Sequence, residues 1–244
     1  MIPRWLHTVS IVSLVVAGVI CIVVAIDVYR YRQHMWIMNV VWPVTMLFGS
    51  LLTGSGYLRY GRLATHKKAM AAMHADAEPP HKSKTPFPIK VAKGTLHCGS
   101  GCTLGDISAE WLLFAFPVIA TWFGWKTIFD EKIFAAWIVD YIFAFGFGIA
   151  FQYFTLKPMR DLSVREGLLQ AAKVDVASLT AWQIGMYGFM AFAHFHLFRH
   201  VLGAPLAVNS VEFWFLMQIA MGFGFLTSYP VNWLLIRKGI KEAM

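Results

Sequence analysis

Charge is scarce in this chain: Asp, Glu, Lys and Arg make up 14% of its 244 residues, against about 25% in an ordinary soluble domain. Cysteine is nearly absent. Cys21, Cys98 and Cys102 are too few for a disulfide framework, which leaves one nearby pair and one lone thiol in an apolar run. No hydrolase triad, phosphate-binding loop or dinucleotide fingerprint occurs, so soluble enzymology of the usual kinds is disfavoured. The net charge is +8, but no stretch interleaves basic residues with aromatics on a polar face, which argues against a nucleic-acid partner. A disordered chain, a collagen and a small secreted domain are excluded by the same figures.

What the chain has instead is apolar length. Hydrophobic residues make up 58% of it and the mean hydropathy is +0.57. They gather into six runs near 8–28, 36–57, 104–124, 133–156, 179–201 and 211–235, each close to the ~20 residues that span a bilayer core. The first run is too long for a signal-peptide core and no small-x-small cleavage site follows it, so it reads as a retained helix. The expected fold is therefore all-α: a polytopic membrane helix bundle with six transmembrane helices.

Lys and Arg divide unevenly between the connections, sixteen on one side and five on the other. The positive-inside rule then puts both termini in the cytoplasm, together with segment 59–93. Arg59, Arg62, Lys67, Lys68, Lys82, Lys84, Lys90 and Lys93 lie in that segment, and Lys157, Arg160, Arg165 and Lys173 in a later one. Three parts follow: a two-helix hairpin over 1–58, a basic and partly disordered linker over 59–93, and a four-helix membrane domain over 94–244. His66, His74 and His81 read as solvated linker residues or as a metal-collecting tract. Phe145-Gly146-Phe147-Gly148 and Gly222-Phe223-Gly224-Phe225 echo one another faintly, as repeated helix pairs would or as packed membrane helices do without a repeat.

The most distinctive passage runs from His97-Cys98-Gly99-Ser100-Gly101-Cys102 through Thr103-Leu104-Gly105-Asp106 to Glu110. Thr103 followed by Asp106 has the spacing of a helix N-cap with a carboxylate at its third position. The glycines argue for a tight turn just before such a helix. Thiols beside a helix start are favoured as thiolates, and with His97 they suit Cu(I) or Zn(II). Were the passage helical instead, Cys98, Cys102, Asp106 and Glu110 would lie on one stripe at four-residue steps.

Ionisable groups within a membrane helix cost about 2.5–3.5 kcal/mol each at its centre, and they face partners or water paths. Glu110, Asp140 and His194 are such groups, and depth alone allows an Asp140–His194 contact. Met186, Met190 and His194 follow at four-residue steps, as copper ligands or as packing residues. Haem is a weaker use of these histidines, because interior His occurs on one span only.

The passage His97 to Asp106 resembles a bacterial membrane family known as domain of unknown function 4396, as does Tyr229-Pro230-Val231-Asn232-Trp233 through Lys241-Glu242. The resemblance covers residues 94–244 and carries His97, Cys98, Cys102, Asp106 and Glu110 in place. It implies a membrane protein and no particular reaction. The expected function is binding or transport of a transition metal, copper before zinc. Its candidate ligands are His97, Cys98, Cys102, Asp106, Glu110, Asp140, Met186, Met190 and His194. The alternatives are a non-catalytic subunit or assembly factor of a membrane complex and a thiol or haem oxidoreductase. The expected partners are the lipid bilayer and membrane-protein partners or a second copy of the chain.

Overall fold

The computed structural model describes residues 2–156 and 163–242. Lys157 and Arg160, counted in the charge balance above, lie outside them. The described residues form helices and no strand. The long helices are α1 (Arg4–Arg30), α2 (Met38–Tyr60), α5 (Phe87–Ala115), α7 (Lys132–Leu156), α8 (Val164–Ala191) and α9 (Val211–Arg237). Short helices α3 (His66–His74), α4 (Pro80–Ser83) and α6 (Val118–Trp122) lie between them. Among the described residues, three stretches are long and apolar enough to cross a membrane: Arg4–Arg30, Lys132–Thr155 and Val211–Arg237. The other expected runs fall on α2, α5 and α8, where more Gly, Ser, Thr and ionisable residues lower the hydropathy.

Local sequence accounts for most boundaries. Ser163 and Glu166 form a reciprocal capping box that starts α8, and Ser210 accepts from the Phe213 amide at the start of α9. Pro117 follows α5 and begins a new short helix. The second expected span is corrected: α2 turns back at Ser50, whose φ of 44° is a left-handed conformation that costs a non-glycine residue energy. The Thr53 hydroxyl thereby meets the Thr45 carbonyl at 3.3 Å, Tyr57 packs on Trp42, and the two ends of α2 lie at the same end of the bundle. Helix α8 does not stop at Ala191. It widens into a π-helical stretch, Phe192–Leu202, which carries His194, His196 and His200 and ends at Gly203 with φ of 60°.

The third expected span is corrected. It does not begin at Leu104 behind a glycine turn: α5 starts at Phe87 and runs unbroken through His97, Cys98 and Cys102 to Ala115. Thr103 is no cap, since its hydroxyl donates to the Gly99 carbonyl at 2.8 Å. The glycines serve packing. A Cβ on Gly105 would lie 2.4 Å from the Ala144 backbone nitrogen, and one on Gly101 would lie 3.1 Å from that of Gly148. Gly101 and Gly105 thus face Ala144 and Gly148 at matching four-residue steps, which lets two helix backbones approach closely. Gly99 makes room for the Trp182 ring in the same way.

α5 pairs with α7 and α8 with α9; α7 then packs on α8 and α5 on α9, closing a four-helix bundle. The α1–α2 hairpin lies against α9 and α5. That arrangement puts α5 in the middle. Its residues from Val91 to Leu113 are mostly buried on every side, including Lys93, His97, Asp106 and Glu110, as expected of a central helix. By contrast α1 turns Val12, Val15, Val19, Val23 and Ile26 outward.

Candidate functional site

Because α5 is a continuous helix, Cys98, Cys102, Asp106 and Glu110 do fall on one stripe. The Cys98 and Cys102 thiols are free and buried, one helical turn apart. One turn on, Asp106 accepts a hydrogen bond from the Gln183 amide at 3.3 Å through one carboxyl oxygen. Its other oxygen has no partner. Asp140 comes in from α7, within electrostatic reach of both Glu110 and Asp106, and one of its oxygens is likewise unpartnered. The Gln183 carbonyl oxygen is a third acceptor without a donor. Near Glu110 the Lys132 ammonium bonds to the Leu113 carbonyl at 2.9 Å. Tyr187, stacked on Trp137 at 4.7 Å, spends its hydroxyl on the Trp137 carbonyl at 2.9 Å.

Buried polar atoms are ordinarily matched donor to acceptor. Around Asp106 the count is lopsided, with three acceptor oxygens facing a shortage of donors. A proton on a carboxyl, a cation or an ordered water would each restore the balance.

A second polar cluster lies where the α8 and α9 helices meet the chain's C-terminal segment. The Lys241 ammonium sits 3.4 Å from Asp175 Oδ1 and from Ser178 Oγ, with both charged side chains buried. Asn232 donates to Ser178 Oγ at 2.7 Å and to Ser228 Oγ at 2.9 Å. Asp175 Oδ2 occupies space that a side chain at Gly148 would fill.

The nine expected metal ligands divide. Cys98 and Cys102 come together, and Asp106, Glu110 and Asp140 come together. His97 turns away from the thiols, its Nε2 lying 3.1 Å from the Thr155 hydroxyl and its ring against Phe151. His194 neighbours Phe195, Arg199 and Glu131, whereas Asp140 faces the α5 carboxyls. Met186 and Met190 are packed with Trp182, Leu179 and Phe198 in the bundle core. Among the described residues no three His, Cys, Asp or Glu side chains gather in an arrangement that holds a metal ion. His66 and His81 of the linker stand beside His34, with ring centroids 5.7 and 6.4 Å from it.

Sequence reading missed Gln183, Asp175, Ser178, Ser228 and the way Asn232 and Lys241 both bond to Ser178. One signal was available. Asp175, Ser178, Trp182, Gln183, Met186 and Met190 recur at three- and four-residue steps, so the inward face of α8 begins well before residue 179.

The family model for domain of unknown function 4396 matches residues 89–241. The chain belongs to this family. No curated protein and no solved structure matches it. The unknown-function 4396 domain thus takes in nearly all of α5 and extends through α9 to Lys241. Both polar clusters lie inside it, while α1 to α4 precede it.

Proposed function

We propose that this protein is an integral membrane protein of the bacterial inner membrane crossed by α1, α5, α7, α8 and α9. The expected six spans with both termini cytoplasmic do not fit, because α1 and α9 run parallel: His7 meets Glu212 and Ser13 meets Gln218, which puts residues 4 and 237 on opposite faces. We further propose that it exchanges protons, or a cation for protons, at the Asp106–Glu110–Asp140 carboxyl cluster. Helices α1, α5, α7, α8 and α9 each have 25 or more residues, and 25 residues at a ~1.5 Å rise cover a ~30 Å hydrocarbon core. The exposed apolar face of α1 supports placement in a membrane.

The observation that carries the activity is that three carboxyls from two facing helices lie within electrostatic reach of one another, with acceptor oxygens left over. Intramembrane acids are expensive, and they mark ion and proton paths where they persist. The Asp106–Gln183 hydrogen bond ties the cluster to α8, so a change of charge at Asp106 acts on two helix pairs at once.

The test is proton flux in vesicles that hold the purified protein and a trapped pH dye, under an imposed potassium-diffusion potential. The wild type should acidify or alkalinise the lumen faster than empty vesicles, and Asp140→Asn and Glu110→Gln should each reduce the rate at least tenfold. Flux equal to that of empty vesicles, or unchanged in both variants, overturns the reading.

A second reading keeps the transition metal. It rests on the adjacent Cys98 and Cys102 thiols, soft donors suited to Cu(I). Copper bound at one ion per chain and lost in Cys98→Ser/Cys102→Ser would favour it.

A further inference from the structure

Just beyond the end of α1 the chain makes a short antiparallel contact with the residues that open α3. The His34 amide donates to the Ala64 carbonyl at 2.8 Å and the His66 amide to the Arg32 carbonyl at 2.7 Å, with Gln33 paired opposite Thr65. Side chains alternate between faces in such extended pairing. Gln33 is accordingly buried, while Arg32 and His34 are exposed, as is His66 at the start of α3. They line a cavity of about 590 Å³, within the roughly 300–1,000 Å³ range of small-molecule sites. Its walls come from the end of α1, the connection to α2 and the first residues of α2 and α3, all outside the family domain.

The charge on that lining has one sign. Arg32, His34 and His66 contribute to it, and among the described residues no Asp or Glu does. The Arg32 guanidinium lies 5.9 Å over the Tyr29 ring and pairs with no described carboxylate. The nearby Asp27 is taken by Tyr57 at 2.6 Å and by Arg62 at 2.9 Å. The His34 and His66 rings stack with centroids 5.7 Å apart. His81 stands 6.4 Å from His34 and within electrostatic reach of Lys82, Lys90 and Lys93, so the surroundings are basic as well. Asn39 is spent on the loop itself, accepting from the Gln33 amide and donating to the Trp36 carbonyl. An anion here meets Arg32, two imidazoles and the uncapped positive end of α3. A cation meets no opposite charge.

The surface leading to the cavity is apolar. Ile22, Ile26 and Tyr29 follow at three- and four-residue steps along α1 and are exposed, and Trp36 on the lining is half-exposed. Tyr and Trp so placed mark the level of lipid headgroups. We infer that this cavity binds the headgroup of an anionic phospholipid, with its phosphate held by Arg32, His34 and His66 and its acyl chains lying along the Ile22–Ile26 stripe of α1. A guanidinium matches phosphate through paired hydrogen bonds, and basic pockets beside membrane helices take such headgroups. A free phosphate would meet the same cations but leave the apolar stripe unused. The inference rests on the membrane placement proposed above and is independent of the carboxyl cluster.

The experiment is titration calorimetry of the full-length protein in a nonionic detergent. Dioctanoylphosphatidylglycerol is the probe, dioctanoylphosphatidylcholine the control without net charge, and inorganic phosphate the soluble control. The wild type should bind the phosphatidylglycerol saturably and about tenfold more tightly than either control, as one added charged hydrogen bond would give. Arg32→Gln should abolish that preference and His66→Gln should reduce it. Arg59→Gln, a change at a basic residue off the lining, should leave it whole. Equal affinity for the two lipids overturns the inference, and so does an equal loss in Arg59→Gln, which marks diffuse attraction. Phosphate bound as tightly as the lipid makes this a soluble-anion site and refutes the lipid. If Arg32→Gln fails to fold, His66→Gln decides, and an unchanged preference there is a refutation. A chain recovered outside the membrane fraction of its host removes the membrane placement and this inference with it, whereas a membrane-bound chain without the preference removes this inference alone.

Discussion

Replacing Gly105 by alanine is the sharpest perturbation of the α5–α7 contact. The new Cβ would lie 2.4 Å from the Ala144 nitrogen and 2.5 Å from its Cα, where ordinary contact begins near 3.4 Å. The obstacle is backbone, so no side chain can rotate away and the helices must separate by about 1 Å. A gap of that size forfeits a quarter to a half of each contact's attraction, and it acts along the Gly101–Gly148 approach as well. Overpacking costs about 1–3 kcal/mol, and a rigid obstacle belongs at the upper end. Alanine's better helix propensity returns about 1 kcal/mol.

The net expectation for Gly105→Ala is a loss of about 2 kcal/mol, or a fall of about 4–8 °C in Tm for a chain of this size. Gly146→Ala on α7 is the control, since nothing lies within 4 Å of its added Cβ. It should melt at or slightly above the wild-type temperature. The assay is tryptophan fluorescence on heating, checked by the amount of monodisperse protein left afterwards. A Gly105→Ala variant as stable as Gly146→Ala would refute the close-approach account.

Further predictions concern other parts of the molecule. Lys241→Ala should destabilise by about 3–5 kcal/mol by stranding Asp175, and Lys241→Ala/Asp175→Ala should recover part of the loss; thermal melts of the three variants check this. Met186→Leu and Met190→Leu should each cost less than about 1.5 kcal/mol and leave any bound copper unchanged, because both side chains fill core space. His81 is held down to about 4 by burial first, and then by the charges of Lys93, His34, Lys82 and Lys90. Its folded value lies below the ordinary 6.5, so the stability it contributes is present above pH 6.5 and is lost as pH falls toward 4. His81→Leu should flatten that limb of a Tm-versus-pH curve.

The helical class and the long apolar runs were legible because hydropathy is a local property of α1, α7 and α9. The start of α5 was not. Glycines at 99, 101 and 105 carry the same letter whether they bend a chain or admit a neighbouring backbone, and only Trp182, Ala144 and Gly148 across the interface decide which. The stripe from Cys98 to Glu110 was readable as soon as the segment was taken as helix. That His97 leaves the thiols for Thr155 follows from its place one residue, about a quarter turn, away from Cys98. Asp140 could be recognised as an intramembrane acid, but its partners could not, because pairing between α7 and α5 is set by tertiary packing. Lys241 resisted sequence reading for the opposite reason: a basic residue after the last span looks like a topology signal, and here it is buried against Asp175.

The central claim is that Asp106, Glu110 and Asp140 hold exchangeable protons as one group. Infrared difference spectroscopy of the membrane-reconstituted protein during a pH titration tests it most directly, through the carbonyl stretch of protonated carboxyls. The account predicts bands that come and go with pH, with Asp140→Asn removing its own contribution and shifting those of Asp106 and Glu110. Carboxyl bands that ignore pH, or a response left whole in Asp106→Asn, Glu110→Gln and Asp140→Asn alike, would contradict it.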